Sequence, residues 1–144
     1  MTEATAIAPP SVGNCAVGFD MLGHALDGPG DRALVRRDAS ATVRIRAMRS
    51  RDANLPLEAD RNTAGRALLA MLAHCPPGTG FEVEVDKGIA LGSGMGGSAS
   101  SAVAAVVAAN ATLTSPLPLD VLYACAMQGE AAADRKSTRL NSSH

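Results

Sequence analysis

Phe81-Glu82-Val83-Glu84-Val85-Asp86-Lys87-Gly88 leads into Gly92-Ser93-Gly94-Met95-Gly96-Gly97-Ser98 and then into the run Ala99 to Leu113, and this succession decides the fold. Phe81, Val83 and Val85 alternate with carboxylates, the pattern of a half-buried strand. Ala99 to Leu113 is rich in Ala and Val and holds no breaker, so it reads as a nearly all-round apolar helix that must be buried. Between them, Gly92 to Gly97 places four glycines in six positions. Glycine lets a backbone approach a ligand closely, the first N–H groups of a helix point outward, and the helix dipole favours negative charge. Strand, glycine run and helix in this order make an anion site, with phosphate as the natural ligand. The alternative is a flexible turn that only joins strand to helix.

Downstream, Pro116 and Pro118 break the chain, and Leu119 to Ala133 resumes a helical pattern with Asp120 near its start. Upstream, Asn62 to His74 carries Ala64, Ala67, Leu68, Met71 and Leu72 at helical spacing until Pro76-Pro77-Gly78 ends it. Asp31–Asp38 and Thr42–Met48 have a period of two, with Val43, Ile45 and Ala47 alternating with Arg44 and Arg46. Both read as antiparallel strands with one wet face, after a turn at Leu26-Asp27-Gly28-Pro29-Gly30. Thr5 to Ala8 reads as a short apolar strand feeding Pro9-Pro10-Ser11 and a polar loop with Gly13, Asn14 and Gly18. The expected class is α+β, with a mixed or antiparallel sheet and helices packed on it.

The chain has 144 residues, 13 Lys+Arg against 14 Asp+Glu, and a hydrophobic fraction of 47%, enough for one domain or a piece of a larger protein. No stretch reaches the roughly 18 apolar residues of a membrane span, and the N-terminus lacks a signal-peptide pattern, so a cytoplasmic protein without membrane contact is expected. A net charge of -1 and only three aromatic side chains, Phe19, Phe81 and Tyr123, argue against nucleic acid as a partner. Cys15, Cys75 and Cys125 are odd in number and far apart, which fits reduced, buried thiols. His24, His74 and His144 have no spacing that suggests a metal site or a triad, so hydrolytic and zinc chemistry find no support. From Asp134 to His144 the chain has one large apolar residue and no periodicity. Residues 134–144 read as a non-native tail, similar to translated adapter sequence, and are set apart from the domain at 1–133.

A P-loop would need Gly-Lys-Ser/Thr, but Gly97 is followed by Ser98 and the nearest Lys is Lys87, upstream. The dinucleotide pattern G-x-G-x-x-G fits only if Gly97 counts as its last glycine, and no ribose-binding acid follows in a parallel βαβ unit. Gly94-Met95-Gly96-Gly97-Ser98-Ala99-Ser100 instead resembles the second motif of the GHMP kinases, P-x-x-x-G-L-G-S-S-A-A. Pro9-Pro10-Ser11-Val12-Gly13-Asn14-Cys15-Ala16-Val17-Gly18-Phe19-Asp20-Met21-Leu22-Gly23 is similar to the P-A-S-x-A-N-L-G-P-G-F-D-x-x-G segment of the homoserine kinases within that family, and Gln128-Gly129-Glu130 also matches. The resemblance covers about Ala6 to Ala133. Ala90 stands where the motif has Pro and Gly97 where it has its first Ser, while Cys15, Ala16 and Val17 replace Leu, Gly and Pro. Backbone binding of phosphate tolerates these changes, whereas a side-chain contact at Gly97 is lost.

The resemblance implies a GHMP-kinase N-terminal domain, truncated before the C-terminal domain, from an enzyme that uses ATP and Mg²⁺ to phosphorylate the hydroxyl of L-homoserine. The fragment itself is expected to be inactive, and the full-length enzyme is compatible with a homodimer. Another GHMP small-molecule kinase, of mevalonate or isoprenoid type, and a non-catalytic domain keeping the fold stay open. By the same resemblance Asn14 and Asp20 hold the substrate, and Ser98 and Glu130 hold the metal. Asn62, Lys87, Ala90, Leu91, Gly92, Ser93, Gly94, Met95, Gly96, Gly97, Ser98, Ala99 and Ser100 surround the nucleotide. No residue is assigned as a base. Plainer roles compete: turn formation for Asn14 and Asp20, a helix cap for Ser98, a solvated carboxylate for Glu130, helix start for Asn62 and strand end for Lys87.

Overall fold

In the chain's central sheet, strand alternation sends one set of side chains to helices and the other to water. The computed structural model describes residues 2–9, 11–12, 24–25, 30–50, 55–88 and 97–142, with the side chains of 11–12, 24–25, 97–98 and 131–142 outside that description. Its elements are β1 (Glu3–Ala8), β2 (Ser11–Val12), β3 (His24–Ala25), β4 (Asp31–Asp38), β5 (Val43–Arg49), α1 (Thr63–Leu72), β6 (Gly80–Asp86), α2 (Gly97–Thr112) and α3 (Leu119–Ser142). Four strands form one sheet in the order β1-β4-β6-β5, and β2 pairs with β3.

β4 is antiparallel to β1, with Ala33 opposite Ala6, and antiparallel to β6, with Val35 opposite Val83. β5 is parallel to β6, with Ile45 beside Val83. This corrects the antiparallel expectation for Thr42–Met48. The segment between β5 and β6 contains α1, and a helical crossover returns the chain to the same end of the sheet, as parallel neighbours require. The period of two also fails once. The register shifts between Ile45 and Ala47, so Met48, not Ala47, stands beside Val85 and packs against the core. An extra residue in one strand re-aims the side chains beyond it.

Ala33, Val35, Val43, Ile45, Phe81, Val83 and Val85 belong to one buried cluster with Leu68 and Met71 of α1 and Ala102, Ala105, Val106 and Ala109 of α2. The sheet's opposite face is a ladder of ion pairs in which Arg44 reaches Asp38 at 2.8 Å and Arg49 reaches Glu84 at 2.7 Å. Such exposed pairs contribute little individually. α2 lies against β1 and β4 and beside α1 and α3, and its alanines permit that close approach. It is not apolar-buried all round, however: Val103 and Val107, one turn apart, are exposed. Its last carbonyls are met by Arg37 of β4, whose Nε donates to Thr112 O at 2.8 Å. A cation there also suits the negative end of the helix.

α3 does not stop at Ala133. Its backbone stays helical to Ser142, and no Pro or Gly lies between Ala131 and Ser142 to end it. Near the middle of this helix, a Cβ on Gly129 would sit 2.6 Å from Thr63 O and 3.3 Å from Ala67 Cβ, so the α3 backbone rests directly on the first turns of α1. Ala is the better helix former, yet Gly129→Ala is expected to destabilise the fold by about 1–3 kcal/mol through overpacking. A urea midpoint equal to or above that of the unsubstituted protein would show that α3 does not pack this way.

Candidate functional site

β6 ends at Asp86 and α2 begins at Gly97. The glycine run between them thus leaves a strand and opens onto a helix, as its sequence demands. Residues 89–96 lie outside the described residues, but both flanks are defined and converge on one carboxylate. Asp31, the first residue of β4, is fully buried. Its Oδ2 accepts from Lys87 Nζ at 2.5 Å and from Ser101 Oγ at 2.7 Å, and its Oδ1 accepts from Gly88 N at 2.9 Å. Lys87 Nζ also donates to Ser101 Oγ at 2.8 Å, and its side chain is only 3% exposed. Ser100, next to Ser101, donates its hydroxyl to Ala8 O at 2.9 Å, pinning the start of α2 to the end of β1.

The start of α1 forms a second wall. Asn62 caps this helix: its Oδ1 accepts from Ala64 N at 3.0 Å and Gly65 N at 3.3 Å, and its Nδ2 donates to Pro56 O at 3.2 Å. An amide has two hydrogens to give, and among the described residues the second has no acceptor. Asn62, Thr63, Lys87 and Ser101 line one cavity of about 160 Å³ with the apolar Met48, Leu55 and Pro56. Met48 reaches it because of the bulge in β5. An apolar wall with a few convergent polar groups is the usual composition of a small-molecule site.

The structure therefore brings Asn62 and Lys87 together around one cavity, with the start of α2 beside them. Asn14 and Asp20 lie outside the described residues, although the β2–β3 pair, Ser11 opposite Ala25 and Val12 opposite His24, closes the base of the segment that holds them. Ala90, Leu91, Gly92, Ser93, Gly94, Met95 and Gly96 also lie outside. Gly97 and Ser98 are the first two residues of α2, and Ala99 is half-buried in the same turn. Glu130 is a half-buried residue of α3, directly after the close contact made by Gly129. Asp31 and Ser101 were not singled out by the sequence. Asp31 follows Gly30 as an ordinary turn acid would, and Ser101 is one of several small residues in an Ala/Ser stretch.

Cys75 is a half-buried and Cys125 a buried free thiol. Burial pushes both thiols up, with a further upward push on Cys75 from Cys125, and the Cys75 thiol donates to Met71 O. Cys15 lies outside the described residues. Among the described residues no cluster of three or more His, Cys, Asp or Glu could hold a metal ion.

Residues 62–139 match the family described as the GHMP kinases N terminal domain. The chain is 58% identical, over 92% of its length and 41% of the relative's, to a homoserine kinase of Xanthomonas campestris pv. campestris (strain B100). A crystal structure of homoserine kinase from Cytophaga hutchinsonii ATCC 33406 superposes with a TM-score of 0.84 at 38% identity, covering 92% of this chain and 42% of that one. A mevalonate kinase structure from methicillin-resistant Staphylococcus aureus MRSA252 superposes at 0.61 with 19% identity, covering 92% and 46%, which is a likeness of fold alone. The chain thus spans less than half the length of the relatives it matches.

Proposed function

This chain belongs to the GHMP kinase family, and on that premise we propose that the protein carrying it transfers the γ-phosphoryl group of ATP to the side-chain hydroxyl of L-homoserine, yielding O-phospho-L-homoserine for threonine biosynthesis. The observation that carries the choice of acceptor is the high identity to a homoserine kinase across nearly the whole chain, against a fold-level likeness to a mevalonate kinase.

Phosphoryl transfer asks a protein mainly for positioning and for neutralisation of charge. The glycine run and the N-terminus of α2 supply backbone N–H groups and a favourable dipole for the phosphates. Asn62, whose second amide hydrogen has no acceptor among the described residues, and the cavity beside it receive the nucleotide, while Asn14 and Asp20 hold the amino-acid acceptor. Mg²⁺ takes oxygen ligands, keeps several waters and needs only one or two protein groups besides the phosphates. The hydroxyl of Ser98 and the carboxylate of Glu130 are a donor set of that chemistry. When bound, the ion neutralises charge on the phosphate oxygens. No residue is assigned as base, and Asp20 orients the acceptor. The cytoplasmic setting belongs to the same proposal; among the described residues no helix is long and apolar enough to cross a membrane.

The test is ADP release by the intact protein with Mg-ATP and a panel of acceptors. L-homoserine is expected to be turned over at least tenfold more efficiently than mevalonate or 4-(cytidine 5'-diphospho)-2C-methyl-D-erythritol, since a site built to hydrogen-bond one acceptor rejects others by about that factor or more. Preference for either of the other two would reassign the substrate within the family. Binding of Mg-ATP with no turnover of any would favour a non-catalytic domain.

A further inference from the structure

Asp31 takes no part in the transfer just described, yet it is the residue on which both flanks of the glycine run converge. Lys87 and Gly88 lie before the run and Ser101 lies in the helix after it, and all three donate to the same fully buried carboxylate. Lys87 is tied a second time through its backbone, which donates to Arg49 O at 2.8 Å, so the network is anchored in the sheet. Burying a carboxylate and an ammonium carries a large desolvation cost, and apolar replacements of similar size are often neutral or stabilising. Stability alone therefore does not account for the pair. A loop whose chemistry depends on several N–H groups aimed at one anion needs its two ends held at a fixed separation.

We infer that Asp31 is a positioning residue for the phosphate loop: with Lys87 and Ser101 it clamps the end of β6 to the first turns of α2, and so pre-sets the loop for the triphosphate. This deepens the proposed function and rests on its assignment of the glycine run to phosphate. The acceptor count makes the clamp specific to a carboxylate. Three donors need acceptors on both Asp31 oxygens, and Asn offers only one oxygen while presenting N–H groups to the remaining donors.

The experiment is calorimetric titration of the intact protein with the ATP analogue adenylyl imidodiphosphate and Mg²⁺, with no acceptor present, for the unsubstituted protein, Asp31→Asn and Ser101→Ala. A weakening of Kd by about tenfold for Asp31→Asn, as for lost groups that orient ligands elsewhere, is expected at unchanged stoichiometry. Ser101→Ala, which removes one hydrogen-bonded arm, is expected to weaken it by about threefold. A purely structural role would lower the bindable fraction and leave Kd of the folded molecules alone. Unchanged Kd, with or without a loss of stoichiometry, overturns the clamp. If Asp31→Asn does not fold, Ser101→Ala decides by the same criterion. Absence of binding by the unsubstituted protein would instead remove the phosphate reading, and the clamp with it, before any variant is compared.

Discussion

Phe81→Ala is expected to cost the fold about 3–5 kcal/mol, the range for emptying a buried phenylalanine site. Phe81 is fully buried, begins the core-facing alternation of β6, and stands beside Val43 in the parallel ladder. What makes the loss large is the company it keeps. The helical side of this core is mostly alanine, with Ala64, Ala67, Ala102, Ala104, Ala105, Ala108 and Ala109 all buried, and methyl groups on a rigid backbone cannot reach into a cavity the size of an aromatic ring. Relaxation, which softens such losses elsewhere, falls to the few long side chains of the same cluster, Leu68 and Met71 among them. A typical domain has only about 5–15 kcal/mol in hand, so the denaturant midpoint of the intact protein should drop steeply, while Phe81→Leu should cost far less. An Ala variant that shifts the midpoint by less than about 1 kcal/mol would place Phe81 outside the cooperative core, against the range that other emptied phenylalanine sites define.

The same alanine-rich helix explains why much of the fold was legible in the sequence. A strand that alternates as strictly as Phe81 to Asp86 and a breaker-free run such as Ala99 to Leu113 leave few choices, and Asn62 announced a helix start that the structure confirms as a side-chain cap. Pairing was less legible. Alternation in Val43–Arg49 reports a wet face and a dry face but not which neighbour the strand takes, and the parallel partner follows from where α1 returns the chain. The bulge at Arg46 left no mark in composition, yet it turns Met48 into the cavity. At the site, the glycine run is readable as a candidate phosphate loop because its residues are local in sequence. Asp31, Lys87 and Ser101 are separated by 56 and 14 positions, and nothing in a one-dimensional pattern brings them together. Lys87 illustrates the difference: the resemblance places it around the nucleotide, and the structure pairs its ammonium with the buried carboxylate of Asp31.

Glu130→Gln in the intact protein is expected to lower kcat for homoserine phosphorylation on the order of 100-fold, in line with the loss of one electrostatic group at a reacting centre. Gln keeps the size and one oxygen of Glu and removes the charge. Mg²⁺ favours anionic oxygen and is held by few protein groups at nucleotide sites, so a neutral oxygen should also raise the Mg²⁺ concentration needed for half-maximal rate. Glu130 is half-buried rather than part of the core, and the packing of α3 on α1 is carried by the preceding Gly129, which the substitution leaves in place. Thermal unfolding of the same variant, read beside the rate, separates lost stability from lost metal binding. Ser98→Ala should move the Mg²⁺ requirement in the same direction but less, because a hydroxyl brings no net charge. If Glu130→Gln retains both the rate and the Mg²⁺ dependence of the unsubstituted protein, Glu130 is a solvated helix carboxylate and the metal must be held from elsewhere in the protein.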